Sequence, residues 1–158
     1  MIFTLLFPAM HSSMAQAPTI EWSTAFDFWL GEWQCQWNNA EGEMITGSNS
    51  ITRIMGGRVI QERFSDPSAN FEGMSLTVLD PRDTLWHQAW ADSDGSYFDF
   101  VGSVDGEHRI FSTHAGTVVQ RMVFSDIRAD SFQWDWEKST DGGTTWTLNW
   151  RIHYTRKK

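Results

Sequence analysis

Glu62 stands between Ile60 and Phe64, at the spacing that puts all three on one face of an extended strand. A carboxyl group on an apolar face is costly to ionise, so its pKa rises and it can exchange a proton near neutral pH. Other polar side chains interrupt apolar rows in the same way. Gln88 falls between Trp86 and Trp90, and Gln120 between Val118 and Met122. Tyr97 and Asp99 share a face opposite Phe98 and Phe100, so one of those two rows is inside. A few convergent polar groups among aromatic walls describe a small-molecule site. The candidate ligand-binding set is therefore Glu62, Gln88, Gln120, Trp86, Trp90, Tyr97 and Trp134, with Glu62 and Asp99 the candidate catalytic acids or bases. The competing account is packing: each polar group bonds backbone, a neighbouring side chain or a trapped water, and Glu62 pairs with a cation such as Arg121.

Other chemistries find little support. His87, His108, His114 and His153 are scattered, with no H-x-H or H-E-x-x-H spacing, so no metal site is expected. There is no G-x-S-x-G elbow, P-loop or dinucleotide fingerprint, and no cofactor is implied. Cys35, the single cysteine, sits between Trp33 and Trp37 on one strand face and reads as a small buried core residue rather than a reactive thiol. Ser139-x-Asp141-x-Gly143-x-Thr145-Trp146 matches the Asp-box of sialidase propeller blades, but the chain is too short to build a propeller. Its physics is that of a hairpin turn: Asp141 bonds the turn backbone, Gly143 takes positive φ, and Trp146 pins the turn to the core.

The elements that must position these residues are strands. Turn signals recur every 8 to 14 residues, and the strands are read at 32–38, 43–54, 58–65, 70–79, 84–91, 96–104, 107–114, 117–127, 131–138 and 145–155. Between them lie Asp, Asn, Pro and Gly clusters such as Asp80-Pro81-Arg82-Asp83 and Asp92-Ser93-Asp94-Gly95, and loops this short join antiparallel neighbours. Trp33, Cys35 and Trp37 form one alternating row. Phe132, Trp134 and Trp136 form another, and Trp146, Leu148, Trp150, Ile152 and Tyr154 a third. About ten such strands favour an all-β, antiparallel up-and-down barrel, because closure removes both sheet edges. Ser23 or Thr24 can cap one short helix through residues 25–30, ended by Gly31, that closes an end of the barrel.

Length and charge set the frame. The chain has 158 residues, enough for a single domain over 18–158, and its formal charge of −8 disfavours nucleic acid and anionic membrane surfaces. Residues 1–17 carry an apolar run, Ile2 to Phe7, and a small-x-small site at Ala15-Gln16-Ala17, the shape of a secretory signal peptide, although no Lys or Arg precedes the run. A periplasmic or secreted barrel with no membrane span is expected.

Two resemblances follow from these residues. Gly31-Glu32-Trp33, after a short helix and at the start of the first strand, resembles the opening of lipocalin-type (calycin) barrels. That resemblance implies a Trp packed at the closed end and a late-strand Arg across it, for which Arg151 or Arg156 is placed. Over nearly the whole mature chain, Phe26 to Trp33, Phe71-Glu72-Gly73-Met74 through Leu79-Asp80-Pro81, Trp86 to Trp90, and Ser139 to Trp146 with Tyr154-Thr155-Arg156 resemble the DUF1579 family of bacterial proteins. The family implies the barrel and says little about chemistry. The haem-binding nitrobindin group shares a ten-stranded barrel but carries small residues where Gln34, Cys35, Gln36 and Trp37 follow Trp33 here.

These readings lead to an exported barrel that binds a small apolar or amphipathic molecule. The alternatives are an acid/base enzyme (isomerase, cyclase or hydrolase) using Glu62 or Asp99, and a structural module whose outward aromatics form a partner surface, for example across a homodimer.

Overall fold

Turn chemistry and alternating rows resolve into ten strands in a computed structural model that describes residues 21–158. The expected leader lies outside the described residues. The strands are β1 (Gly31–Asn38), β2 (Met44–Ile54), β3 (Val59–Asp66), β4 (Phe71–Asp80), β5 (Leu85–Asp92), β6 (Tyr97–Asp105), β7 (His108–Ser112), β8 (Val119–Ser125), β9 (Ser131–Ser139) and β10 (Thr147–Arg156). Each pairs antiparallel with its neighbours in sequence, and β10 returns to β1 to close the barrel. No helix among the described residues is long and apolar enough to cross a membrane.

Up-and-down connectivity sorts the turns. Those at 39–43, 67–70, 93–96, 113–118 and 140–146 share one end, and the segment entering β1 occupies the other. That second end is plugged. The expected short helix is present as two 3-10 turns, Trp22–Thr24 and Asp27–Trp29, and the expected side-chain cap from Ser23 or Thr24 is not made. So short a segment gains little from helical hydrogen bonding, and its aromatic side chains set its path. Phe26 is fully buried, stacked on Phe111 at 4.3 Å and edge-on to Trp86 at 5.4 Å. Trp86 donates its indole N–H to the Trp22 carbonyl at 2.9 Å.

Trp33 is fully buried in the same plug and donates its indole N–H to the Trp29 carbonyl at 2.7 Å. Arg156 is the residue that covers it, with the guanidinium carbon 4.2 Å from the ring centroid and Nη1 donating to the Leu30 carbonyl at 2.9 Å. Gly31 is required there: φ is 136°, and a β-carbon would stand 2.1 Å from Arg156 Nη1. Arg151, the other candidate, points outward and makes two hydrogen bonds to Asp135, at 2.8 and 2.7 Å.

One expected row is broken. Leu148 pairs with Glu137 but Trp150 pairs with Trp136, so the register shifts between them. The extra residue of this bulge reverses which face is inside. Trp150, Ile152 and Tyr154 therefore line the interior, whereas Leu148 is exposed and Trp146 lies under the Arg121 guanidinium, 3.7 Å from its ring centroid, instead of in the core. The turn before it is built as its residues require. Asp141 accepts from the Thr144 and Thr145 amides at 3.1 and 2.9 Å, and Gly143 has φ of 89°.

Candidate functional site

The interior changes character at Glu62. Toward the plug its row continues as Ile60, which is fully buried; toward the open end it continues as Phe64, which lines a cavity of about 170 Å³. Glu62 lies at the junction because alternation on β3 points it inward and the register sets it opposite Ser75 on β4.

A polar belt runs around the wall at this level. Glu62 Oε1 accepts from Asn49 Nδ2 at 2.7 Å, and Oε2 accepts from Ser75 Oγ at 2.7 Å. Asn49 Nδ2 also reaches the Tyr154 hydroxyl oxygen at 3.2 Å, and the buried Cys35 lies opposite Tyr154 in the β1–β10 register. On the other side, Gln88 Nε2 donates to Ser75 Oγ at 3.2 Å and Thr77 Oγ1 at 3.1 Å. The belt thus crosses six adjacent strands, from β10 through β1 to β5. Among the described residues, two of its buried acceptors, Asn49 Oδ1 and Gln88 Oε1, receive no hydrogen bond.

Among the described residues no cation compensates the carboxylate. Arg121 pairs instead with Glu137 at 2.6 Å, and none of the ion pairs among the described residues involves Glu62. Burial pushes the Glu62 carboxyl up to about 7, against the opposing pull of its bonds to Ser75 and Asn49. Burial also pushes Cys35 up to about 12 and holds Tyr154 well above its ordinary value, so both stay protonated.

Beyond the belt the walls are aromatic. Trp90, Trp134, Trp136 and Trp150 line the cavity with Phe64, Phe71, Phe98 and Phe100, while Met122, Ile152 and Tyr154 complete it beside Glu62. Trp134 and Trp136 lie parallel at 6.3 Å, and Trp150 meets Trp134 edge-on at 5.6 Å. Asp92, at the end of β5, also lines the cavity and accepts from Trp90 Nε1 at 3.0 Å. Gly73 makes the space for Trp90: a β-carbon there would stand 2.0 Å from the indole. Outside the barrel, β1 and β10 pair only from Trp33 to Gln36, beyond which a groove of about 490 Å³ opens between Met44, Leu148 and Trp150.

The candidate residues separate accordingly. Glu62, Trp90 and Trp134 meet at the cavity, and Gln88 joins the belt behind it. Trp86 shares the face of Trp90 but sits in the plug, away from the cavity. Tyr97 and Asp99 point outward, where the phenol donates to Asp99 Oδ1 at 2.8 Å. Inside, Phe98 and Phe100 take their place, because stacking two rings at 5.7 Å buries more apolar surface than a phenol and a carboxylate. Asp99 is therefore no interior acid. Gln120 lies near the start of β8, its backbone N–H donating to Thr113 Oγ1, and is outside the cavity lining. Asn49, Ser75, Thr77 and Tyr154 were not among the candidates. Asn49 carried the same signal as Glu62, a polar residue in the inward row of Gly47 and Ile51. Among the described residues no three His, Cys, Asp or Glu side chains converge as a metal site.

A comparison with protein-family models gives no match, and a comparison with curated proteins gives none either. The fold is a closed ten-stranded antiparallel barrel with one plugged end.

Proposed function

We propose that this barrel binds a small, mainly apolar molecule in the aromatic cavity above Glu62. The observation that carries the reading is the cavity itself: its volume of about 170 Å³ is walled by four indoles and floored by a buried carboxylate. An apolar cavity of roughly 150 Å³ takes benzene, so this one suits a single ring with a short side chain, and is too small for a retinoid or a long acyl chain. Apolar walls supply affinity and the few polar groups supply orientation. The resemblance to DUF1579 barrels, and export directed by residues 1–17, belong to the same proposal and rest on the residues that carry them. Titrating the full chain with 2-phenylethanol while following tryptophan fluorescence tests it. Saturable quenching or a shift supports the reading, and a flat response to this and other single-ring compounds removes it.

A second reading is favoured by one observation. A carboxyl group near pKa 7 inside an apolar cavity has the protonation balance of a general acid or base. In that case the ligand is a substrate, and Glu62→Gln retains binding while abolishing its turnover.

A further inference from the structure

Glu62 is a buried carboxylate with no counter-charge among the described residues. Both oxygens are held by neutral donors, Asn49 and Ser75, and the titratable groups beside it, Tyr154 and Cys35, are themselves weak acids. A carboxylate in such a place either stays protonated or finds a cation. The walls above it suit a cation, since indole faces attract positive charge and four indoles line this cavity. The second carboxyl group on the lining is Asp92, and among the described residues no Lys, Arg or His lines it.

The turns at the open end carry charge of the same sense. The five turns at the open end contain Glu41, Glu43, Asp94 and Asp141 and no Lys or Arg. The plugged end is mixed: Arg58, Arg82, Arg128, Arg156, Lys157 and Lys158 are offset there by Glu21, Asp27, Asp83, Glu107, Asp126 and Asp130. Lys138 is exposed on β9 near the open end, outside the cavity lining. A negative entrance raises the local concentration of cations and repels anions.

From these observations we infer that the occupant is a small primary amine carrying one apolar ring, bound as the ammonium ion with its charge on Glu62 and its ring among the indoles. This rests on the reading of the cavity as a ligand site and narrows it to a chemical class. An ammonium ion satisfies Glu62, whereas a carboxylic acid of the same shape meets two carboxylates and no cation.

Calorimetric titration of the full chain at pH 7.5 with three matched probes decides it: 2-phenylethylamine, 2-phenylethanol and 3-phenylpropanoate. The amine binds about tenfold to a hundredfold tighter than the alcohol, the increment of a hydrogen bond to a charged group, and the carboxylate binds weakest. In Glu62→Gln the amine-to-alcohol ratio falls toward one. Asp92→Asn, on a different strand, lowers the same ratio several-fold and serves if the first variant does not fold. Equal affinities for amine and alcohol, tighter binding of the carboxylate, or a ratio unchanged in every variant that folds would overturn the amine assignment while leaving the cavity a ligand site. Binding of none of the three overturns both.

Discussion

The indole of Trp90 occupies the place where a side chain on Gly73 would stand, with a β-carbon there only 2.0 Å from Cζ2. The two residues lie on adjacent strands β4 and β5, and the ring reaches the cavity lining only because Gly73 has no side chain. Gly73→Ala therefore has to displace the ring. We expect a loss of about 1 to 3 kcal/mol from overpacking and a changed near-UV circular dichroism signal from the cavity indoles. Unaltered urea unfolding and spectrum would show that Trp90 does not depend on this gap.

Glu62 makes stability depend on pH with an unusual sign for a carboxylate. Its folded pKa of about 7 lies above the ordinary 4.5, so between those values the folded chain binds more protons than the unfolded chain. The contribution favours folding at low pH and is lost as pH rises through that window, by on the order of 3 kcal/mol. Glu62→Gln keeps the shape, accepts from Asn49 and can donate to Ser75, so it removes this dependence. Urea unfolding at pH 4.5 and pH 8 checks it: the variant gains on the parent as pH rises.

Asp141 has the opposite sign in a different range. Its bonds from the Thr145 amide and hydroxyl, then from Ser139, hold it down at about 2, against an ordinary 3.8. The stability it contributes is present above 3.8 and is lost as pH falls toward 2. Asp141→Ala lowers the urea midpoint at neutral pH and shows less loss on acidification across that window, read from the same unfolding curves.

At the plug, Arg156 spans two carbonyls, Leu30 and Ala129, each at 2.9 Å, while its guanidinium covers Trp33. Arg156→Ala is expected to cost about 1 to 3 kcal/mol, and Arg156→Lys to recover only part of it, since an ammonium cannot reproduce the planar fork. Arg151→Ala, at the half-exposed outer pair with Asp135, is expected to cost about 1 kcal/mol or less. Thermal unfolding of the three variants orders them.

These contrasts mark what sequence could and could not reveal. Period-2 rows and turn clusters gave ten strands and a closed barrel, because both signals are local. Alternation identifies a face but not a depth. Trp86 and Trp90 share a face of β5, yet four residues of strand rise, roughly 13 Å, put one in the plug and the other at the cavity. Nor does alternation say which of two rows is inside: Tyr97/Asp99 and Phe98/Phe100 alternate equally well, and only the packing of the closed barrel turns the two phenylalanines inward. The bulge before Trp150 is a single-residue event at Asn149, one isolated Asn inside an otherwise regular row, and it turned Leu148 and Trp146 outward. Glu62 was legible because a charge in an apolar row is conspicuous. Its partners were not, because cross-strand register is fixed by the whole barrel.

The central claim is that the interior beyond Glu62 is a hollow, ligand-accepting cavity, and a thermal unfolding titration with benzene tests it most directly. Benzene is small enough for about 170 Å³, and a ligand that binds the folded state raises Tm as its concentration passes Kd. The account predicts a saturable rise in Tm for the parent chain and none for a folded Met122→Trp variant, in which a larger ring from the cavity wall fills the space. No rise in the parent, or an equal rise in the filled variant, would contradict it.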